Sequence, residues 1–292
     1  MTDKTVPSRV FEGAKQEAER AKQAISTPQT QHPAYTLAFQ DTDFLLREDL
    51  RPVRFQLELL KPELLLDEAR ICSMMVFYGS ARIPEPAKAQ MLLDLATDDR
   101  GRRIAERLIA KSKYYDVARE LARLASEFPR DLNGNRHFVV CSGGGPSIME
   151  AANRGAVDVG AETVGLNIVL PHEQAPNPYV TPSLSFQFHY FALRKMHFLL
   201  RARAVAVFPG GFGTFDETFE LLTLIQTGKI KPMPVLMFGR EFWEKVVDFE
   251  ALADEGVIAH KDIALITFVE TAEEAWAAVQ AFYAKDEEEA GA

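Results

Sequence analysis

From Ser73 onward, short apolar runs alternate with stretches patterned like helices, and this rhythm leaves few folds open. The strand candidates are Met74–Tyr78, Phe138–Cys141, Thr163–Ile168, Ala204–Phe208, Val235–Phe238 and Ala264–Phe268. A run such as Val205-Ala206-Val207-Phe208 has no polar face, which suits a strand buried on both sides, as in a parallel sheet. Helices are expected between the strands. Gly101–Phe128 carries Ile104, Leu108, Tyr115, Ala118, Leu121, Ala125 and Phe128, a spacing that makes one apolar stripe. Pro146–Val159, Tyr190–Ala202, Thr214–Thr227, Glu241–Asp254 and Ala272–Ala284 continue the series. Strand and helix in strict alternation predict an α/β fold, a doubly wound and mostly parallel Rossmann-like sheet with helices on both faces.

The flanks read differently. Residues 1–72 are expected to form an N-terminal extension. Up to residue 35 it is polar and mobile, with a short helix from about Arg9 to Ala24, and over residues 36–70 it forms short helices. Residues 73–285 are expected to form one Rossmann-like domain, and Asp286–Glu289 to open an acidic, solvated tail over 286–292. A formal charge of -9 argues against a partner bound along a phosphate backbone, because such binding needs clustered Lys and Arg. No polymeric nucleic acid is expected as a partner. The N-terminus lacks the apolar stretch of a secretory signal, and no run is long enough to span a bilayer. A cytoplasmic protein with no membrane partner is the expectation. Cys72 and Cys141 make neither a disulfide framework nor a zinc site.

Three strand ends are glycine-rich: Tyr78-Gly79-Ser80-Ala81-Arg82, Cys141-Ser142-Gly143-Gly144-Gly145-Pro146 and Pro209-Gly210-Gly211-Phe212-Gly213-Thr214. In open parallel sheets ligands bind beyond the carboxyl ends of strands. Glycine lets backbone N–H groups turn toward an anion, and a following helix adds unpaired N–H groups and the positive end of its dipole. Any one such loop also reads as a simple tight turn. The residues expected to meet a ligand are Gly79, Ser80, Gly144, Gly145, Gly210, Gly211, Gly213 and Thr214, with Thr214 as helix N-cap or first-turn residue. Neither the P-loop fingerprint nor the dinucleotide fingerprint is present.

Charged residues gather around the third loop. Glu217 reads either as a capping-box acid or as a functional carboxylate, and Asp216 as a first-turn acid or a substrate contact. Arg194 and Lys195 lie 23 and 22 residues before Glu217, either as a solvated basic patch or as part of a site. Cleaving a bond between C1′ and a base nitrogen develops oxocarbenium character on the ribose. A carboxylate near the sugar stabilises that charge and orients water. A guanidinium binds phosphate or holds such a carboxylate in place.

Pro209-Gly210-Gly211-Phe212-Gly213-Thr214-Phe215-Asp216-Glu217 matches the PGGxGTxxE signature of the Lonely Guy (LOG) family, Rossmann-like proteins often labelled "lysine decarboxylase-like". Arg194-Lys195 is similar to the family's Arg-Lys pair. Gly143-Gly144-Gly145-Pro146-Ser147-Ile148-Met149-Glu150 resembles its GGGPGIME stretch with Ser147 in place of a glycine, and Phe77-Tyr78-Gly79-Ser80-Ala81-Arg82 resembles its FGSAR turn. The likeness covers about Met74 to Phe268, and the long segment before Ser73 resembles a longer branch. The resemblance implies a phosphoribohydrolase that converts a nucleoside 5′-monophosphate and water to free base and ribose 5-phosphate, with AMP-like or cytokinin riboside monophosphate substrates. It implies Arg194 and Glu217 as the catalytic pair and Gly211, Gly213 and Thr214 at the phosphate. Glu173, Lys195, Asp216 and Thr223 are implied as further substrate contacts. A homodimer or larger homo-oligomer, no cofactor and no metal are implied as well.

The remaining candidates carry less. The six histidines form no metal motif, although His189 and His197 are eight apart near one helix, and His172 and His189 are possible base or ribose contacts. Cys141 reads as a buried thiol rather than a nucleophile. Trp243 and Trp276 read as packing residues, and Phe186, Phe188, Tyr190 and Phe191 as core or as an aromatic wall for the base. The same pocket would also serve a non-catalytic nucleotide sensor. A pyridoxal-dependent decarboxylase would need a Schiff-base lysine, for which only Lys195 is at hand.

Overall fold

The computed structural model describes residues 12–171 and 175–290, with backbone only from 286. The chain divides into two compact units, Met1–Leu57 and Glu58–Ala292. Within the first, short helices run over Ala14–Ala21 and Thr42–Leu45, and a longer one begins at Arg51 and ends at Glu68. Asp41 caps the second helix by accepting from Phe44 N at 2.9 Å.

The second unit is built on seven strands: β1 Met74–Tyr78, β2 Val139–Ser142, β3 Val164–Ile168, β4 Ser185–Phe188, β5 Ala202–Val207, β6 Val235–Phe238 and β7 Thr267–Val269. They form one sheet in the order β4-β3-β2-β1-β5-β6-β7, with every pairing parallel. The central strands are buried on both faces, which is why their sequences show no polar alternation. One face packs Tyr115, Ala118 and Leu121 of the helix Lys113–Ser126 together with Ala151 and Ala152 of the helix Ile148–Asp158. The other packs Phe198, Leu221, Ile225 and Trp243. Leu66 joins that second layer, and Arg201 holds Glu63 and Asp67 at 2.9 and 2.8 Å, so residues 58–72 pack with the sheet.

Several sequence-drawn elements differ in extent. The stretch 101–128 is two helices, Asp99–Lys111 and Lys113–Ser126, separated at Ser112. The hydroxyl of Ser112 donates back to Ile109 O at 2.7 Å, a bond that competes with the helix ladder. The stretch 241–254 is also two helices, Arg240–Val246 and Phe249–Asp254, the second capped by Asp248 through Ala251 N. The last strand is Thr267–Val269, because residues 264–266 close the helix before it. Ser185–Phe188 is an edge strand that the sequence pattern did not announce. The final helix runs Ala272–Ala290, so the backbone of 286–290 is helical.

The order of strands positions the site. The chain moves outward from β1 to β4, then returns to lay β5 beside β1 and continues the other way. The connections leaving β1 and β5 therefore diverge, opening a crevice at their carboxyl ends. The two loops there are joined: Phe208 N donates to Tyr78 O at 2.8 Å and Ser80 N to Pro209 O at 3.1 Å.

The β1 loop is also clamped from the side of the second glycine loop. Ser147 has φ +66°, a conformation that side chains rarely adopt. Its buried hydroxyl donates to Ile83 O. The backbone strain costs on the order of 1–3 kcal/mol, and the bond returns about 1 kcal/mol. Ser147→Ala keeps the strain and loses the bond, so it lowers Tm by roughly 3 °C. Ser147→Gly removes both and melts at or above wild type. Thermal melts of the three proteins check this order; an alanine variant at least as stable as wild type contradicts it.

Candidate functional site

The crevice holds a cavity of about 730 Å³. Its floor comes from the β5 loop, Gly210 to Phe215, and its walls from Gly79–Arg82, Met149, Arg194, Glu217, Phe242 and Val246.

The β5 loop leads into the helix Phe212–Gln226. Gly211, rather than Thr214, is its N-cap, and no side chain caps it. The first-turn N–H groups consequently lack intrahelical partners, and their residues line the crevice, an arrangement that suits an anion. A side chain at Gly211 or Gly213 would meet nothing within 4 Å, so both backbones border open space. Thr214 lies in the first turn and is buried against Gly210, with its hydroxyl side 2.1 Å from where a Gly210 Cβ would stand. Residue 210 tolerates only glycine for that reason. The N-cap at Gly211 also puts Glu217 in the second turn, too far along to be a capping-box acid.

Glu217 instead faces Arg194 across the cavity wall. Arg194 Nη1 approaches Glu217 Oε1 at 3.4 Å, and both side chains are largely buried. Arg194 Nε donates to Leu166 O at 2.7 Å, and its guanidinium stacks 5.1 Å from the Phe198 ring. A Cβ at Gly143 would stand 2.5 Å from Arg194 Nη2, so the second glycine loop makes room for this arginine. Burial raises the Glu217 carboxyl from its usual range to about 7, against the opposing pull of Arg194. The ion pair is thus too weak to offset the loss of water. A carboxylate in that state has charge left for a cation that forms beside it.

The sequence candidates separate into two groups. Gly79, Ser80, Arg194, Gly210, Gly211, Gly213, Thr214 and Glu217 line the cavity together. Lys195, Asp216 and Thr223 do not line it. Lys195 is paired with Asp216 at 3.1 Å and Glu220 at 3.0 Å, and Thr223 is exposed and bonds Phe219 O within its own helix. Gly144 and Gly145 serve the loop itself: Gly144 N donates to Ser142 Oγ, and Gly145 O accepts from Asn177 Nδ2. Both Asn177 and Ser142 continue to the buried Asn153, a network that fixes the turn. Glu173 and His172 lie outside the described residues.

Other expectations resolve physically. Cys141 is fully buried and burial pushes its thiol up, away from the thiolate a nucleophile needs. His197 is buried against Phe188, while His189 is exposed; among the described residues no cluster of three potential ligands could hold a metal. Phe186 and Phe188 belong to the core, and the aromatic wall of the cavity is Phe212, Phe215 and Phe242. Arg82, Met149, Phe242 and Val246 were not foreseen as lining residues. Arg82 and Met149 had a signal, their places in the stretches that follow the first and second glycine loops. Among the described residues no helix is long and apolar enough to cross a membrane.

Residues 149–279 match the family model described as possible lysine decarboxylase. Cytokinin riboside 5′-monophosphate phosphoribohydrolase LOG2 of Arabidopsis thaliana is 28% identical over 153 residues, covering 51% of this chain and 67% of that protein. Cytokinin riboside 5′-monophosphate phosphoribohydrolase LOG of Oryza sativa subsp. japonica is 28% identical over 167 residues, covering 56% of this chain and 65% of the relative. The matches thus span about two thirds of those relatives. Among solved structures, the structural-genomics target TM1055 superposes with a TM-score of 0.44 at 20% identity, covering 71% of this chain and 98% of the other. The Moco carrier protein from Chlamydomonas reinhardtii gives 0.42 at 18%, covering 73% and 99%. Over about half of its length the chain is thus similar to the Lonely Guy (LOG) proteins.

Proposed function

We propose that this chain hydrolyses the N-glycosidic bond of a nucleoside 5′-monophosphate, with an adenosine-like or cytokinin riboside monophosphate as substrate. The observation that carries the reading is the placement of Glu217 and the first-turn amides of Phe212–Gln226 on one cavity. The named activity of the two plant relatives supports the same reaction class.

The chemistry follows from that placement. The 5′-phosphate sits on the amides around Gly211, Gly213 and Thr214 and fixes the sugar. The Glu217 carboxylate lies one to two helical turns further along, beside the ribose. As the bond from C1′ to the base breaks, positive charge grows on the ring and the carboxylate stabilises it. Water adds its oxygen to C1′, and its protons end on the departing base nitrogen and the new hydroxyl. Arg194 keeps the carboxylate aimed at the cavity. The apolar rings of Phe212 and Phe242 suit the face of a base.

A nucleotide sensor would need the amides but not a carboxylate kept near pH 7 by burial, so the sensor reading is less well supported. A pyridoxal decarboxylase fits these residues poorly. No lysine lines the cavity among the described residues, and Lys195 is ion-paired elsewhere. We therefore derive no step through that cofactor.

Base release from a panel of nucleoside monophosphates, followed by chromatography, tests the reading; equal release from the unphosphorylated nucleosides, or none from any monophosphate, contradicts it. Glu217→Gln lowers kcat by on the order of 10²–10⁴-fold while KM changes little. Because the active form is the carboxylate, kcat/KM of the wild type rises with pH through about 7. A flat or falling profile between pH 6 and 8 would exclude that role.

Stability carries the opposite sign. The folded-state affinity of Glu217 for a proton exceeds the unfolded one, so the stabilising effect is complete below the usual carboxyl range and is lost as pH rises through about 7. The loss amounts to about 3 kcal/mol. Glutamine does not titrate. The Tm difference between Glu217→Gln and wild type therefore shifts in favour of the variant from pH 5 to pH 8. Differential scanning calorimetry at the two pH values measures it, and an unchanged difference would remove burial as the cause.

A further inference from the structure

Two cationic side chains line the cavity, Arg194 and Arg82, and they are in opposite states. Arg194 is enclosed. Its Nε, Nη1 and ring face are taken by Leu166 O, Glu217 and Phe198, and its Nη2 lies against Gly143. Little donor capacity remains to meet a dianion. Lys195, the neighbouring cation, is held by two carboxylates outside the cavity. Arg82 is exposed, and among the described residues it makes no ion pair, in a protein with a formal charge of -9.

The backbone beneath Arg82 is fixed while its side chain is free. Arg82 N donates to Ser80 Oγ at 3.0 Å. On the next residue, Ile83 O accepts from Ser147 Oγ, and Glu85 is tied to Arg154 at 2.9 Å. The same loop is bonded to the β5 loop through Ser80 N and Pro209 O. Arg82 and the amides of Gly211 and Gly213 thus line one cavity from two joined loops. A guanidinium there can form two parallel bonds to a phosphate whose other oxygens rest on those amides.

We propose that Arg82 is the phosphate-binding cation of this site and the residue that makes it select a 5′-phosphorylated ribose over an unphosphorylated one. Arg194 is then a positioning residue for Glu217 and not the phosphate ligand. The inference rests on the hydrolase reading above and deepens it.

Calorimetric titration of the full chain with ribose 5-phosphate, and with ribose as control, separates the two. Wild type and Glu217→Gln bind ribose 5-phosphate. Arg82→Gln binds it roughly ten- to a hundredfold more weakly, because a charge-assisted bond is lost. Arg82→Lys recovers part of the affinity, and ribose binding is the same in wild type and both Arg82 variants. Arg82→Gln melts with wild type, since its side chain is exposed. If Arg82→Gln binds ribose 5-phosphate as tightly as wild type, Arg82 is not the phosphate ligand, and the hydrolase reading survives provided wild type still releases base. If wild type itself binds no ribose 5-phosphate, the proposal for Arg82 falls, while base release from a monophosphate decides the hydrolase reading separately.

Discussion

The structure depends on a carboxylate kept out of water at the place where the sheet reverses direction. Glu217 loses more by burial than Arg194 returns, and its proton affinity records the deficit. The fold tolerates that because the surrounding framework is rigid. Strand β1 and, apart from Arg203, strand β5 are buried on both sides, and the Arg194 side chain is fixed by the Leu166 carbonyl in the middle of β3, by Phe198 and by the glycine turn after β2. A destabilised group inside an overdetermined shell is the usual physical form of a reactive site.

The three glycine-rich strand ends divide the labour. The β5 loop presents backbone amides to open space. The β2 loop is consumed by its own network of Ser142, Asn153 and Asn177, and makes room for Arg194. The β1 loop is tied to both others and carries Arg82 into the crevice. Similar sequences at equivalent strand ends thus do three different things. The difference lies in what each loop packs against.

That difference also marks how far the sequence could be read. The sheet was legible because buried parallel strands such as Val235–Phe238 leave an unbroken apolar run. Ser185–Phe188 was hidden, since its short alternating pattern and aromatic residues equally suit core packing in a loop. The break at Ser112 was hidden because the apolar stripe continues through it. In the site, Glu217 and the glycines share one segment, so a motif exposed them. Phe242, Val246 and Met149 reach the cavity from separate elements, and only tertiary packing brings them together. Lys195 and Asp216 were drawn toward the site by sequence proximity, yet helical periodicity turns them to another face, where they pair with each other.

In the proposed function, one cavity grips a phosphate at backbone amides and presents a sugar carbon to Glu217. A crystal structure with ribose 5-phosphate bound tests this most directly. It should show phosphate oxygens within hydrogen-bond reach of the Gly211–Thr214 amides and C1 turned toward the Glu217 carboxylate. A sugar phosphate seated there with C1 pointing away from Glu217, or bound elsewhere on the molecule, would contradict it.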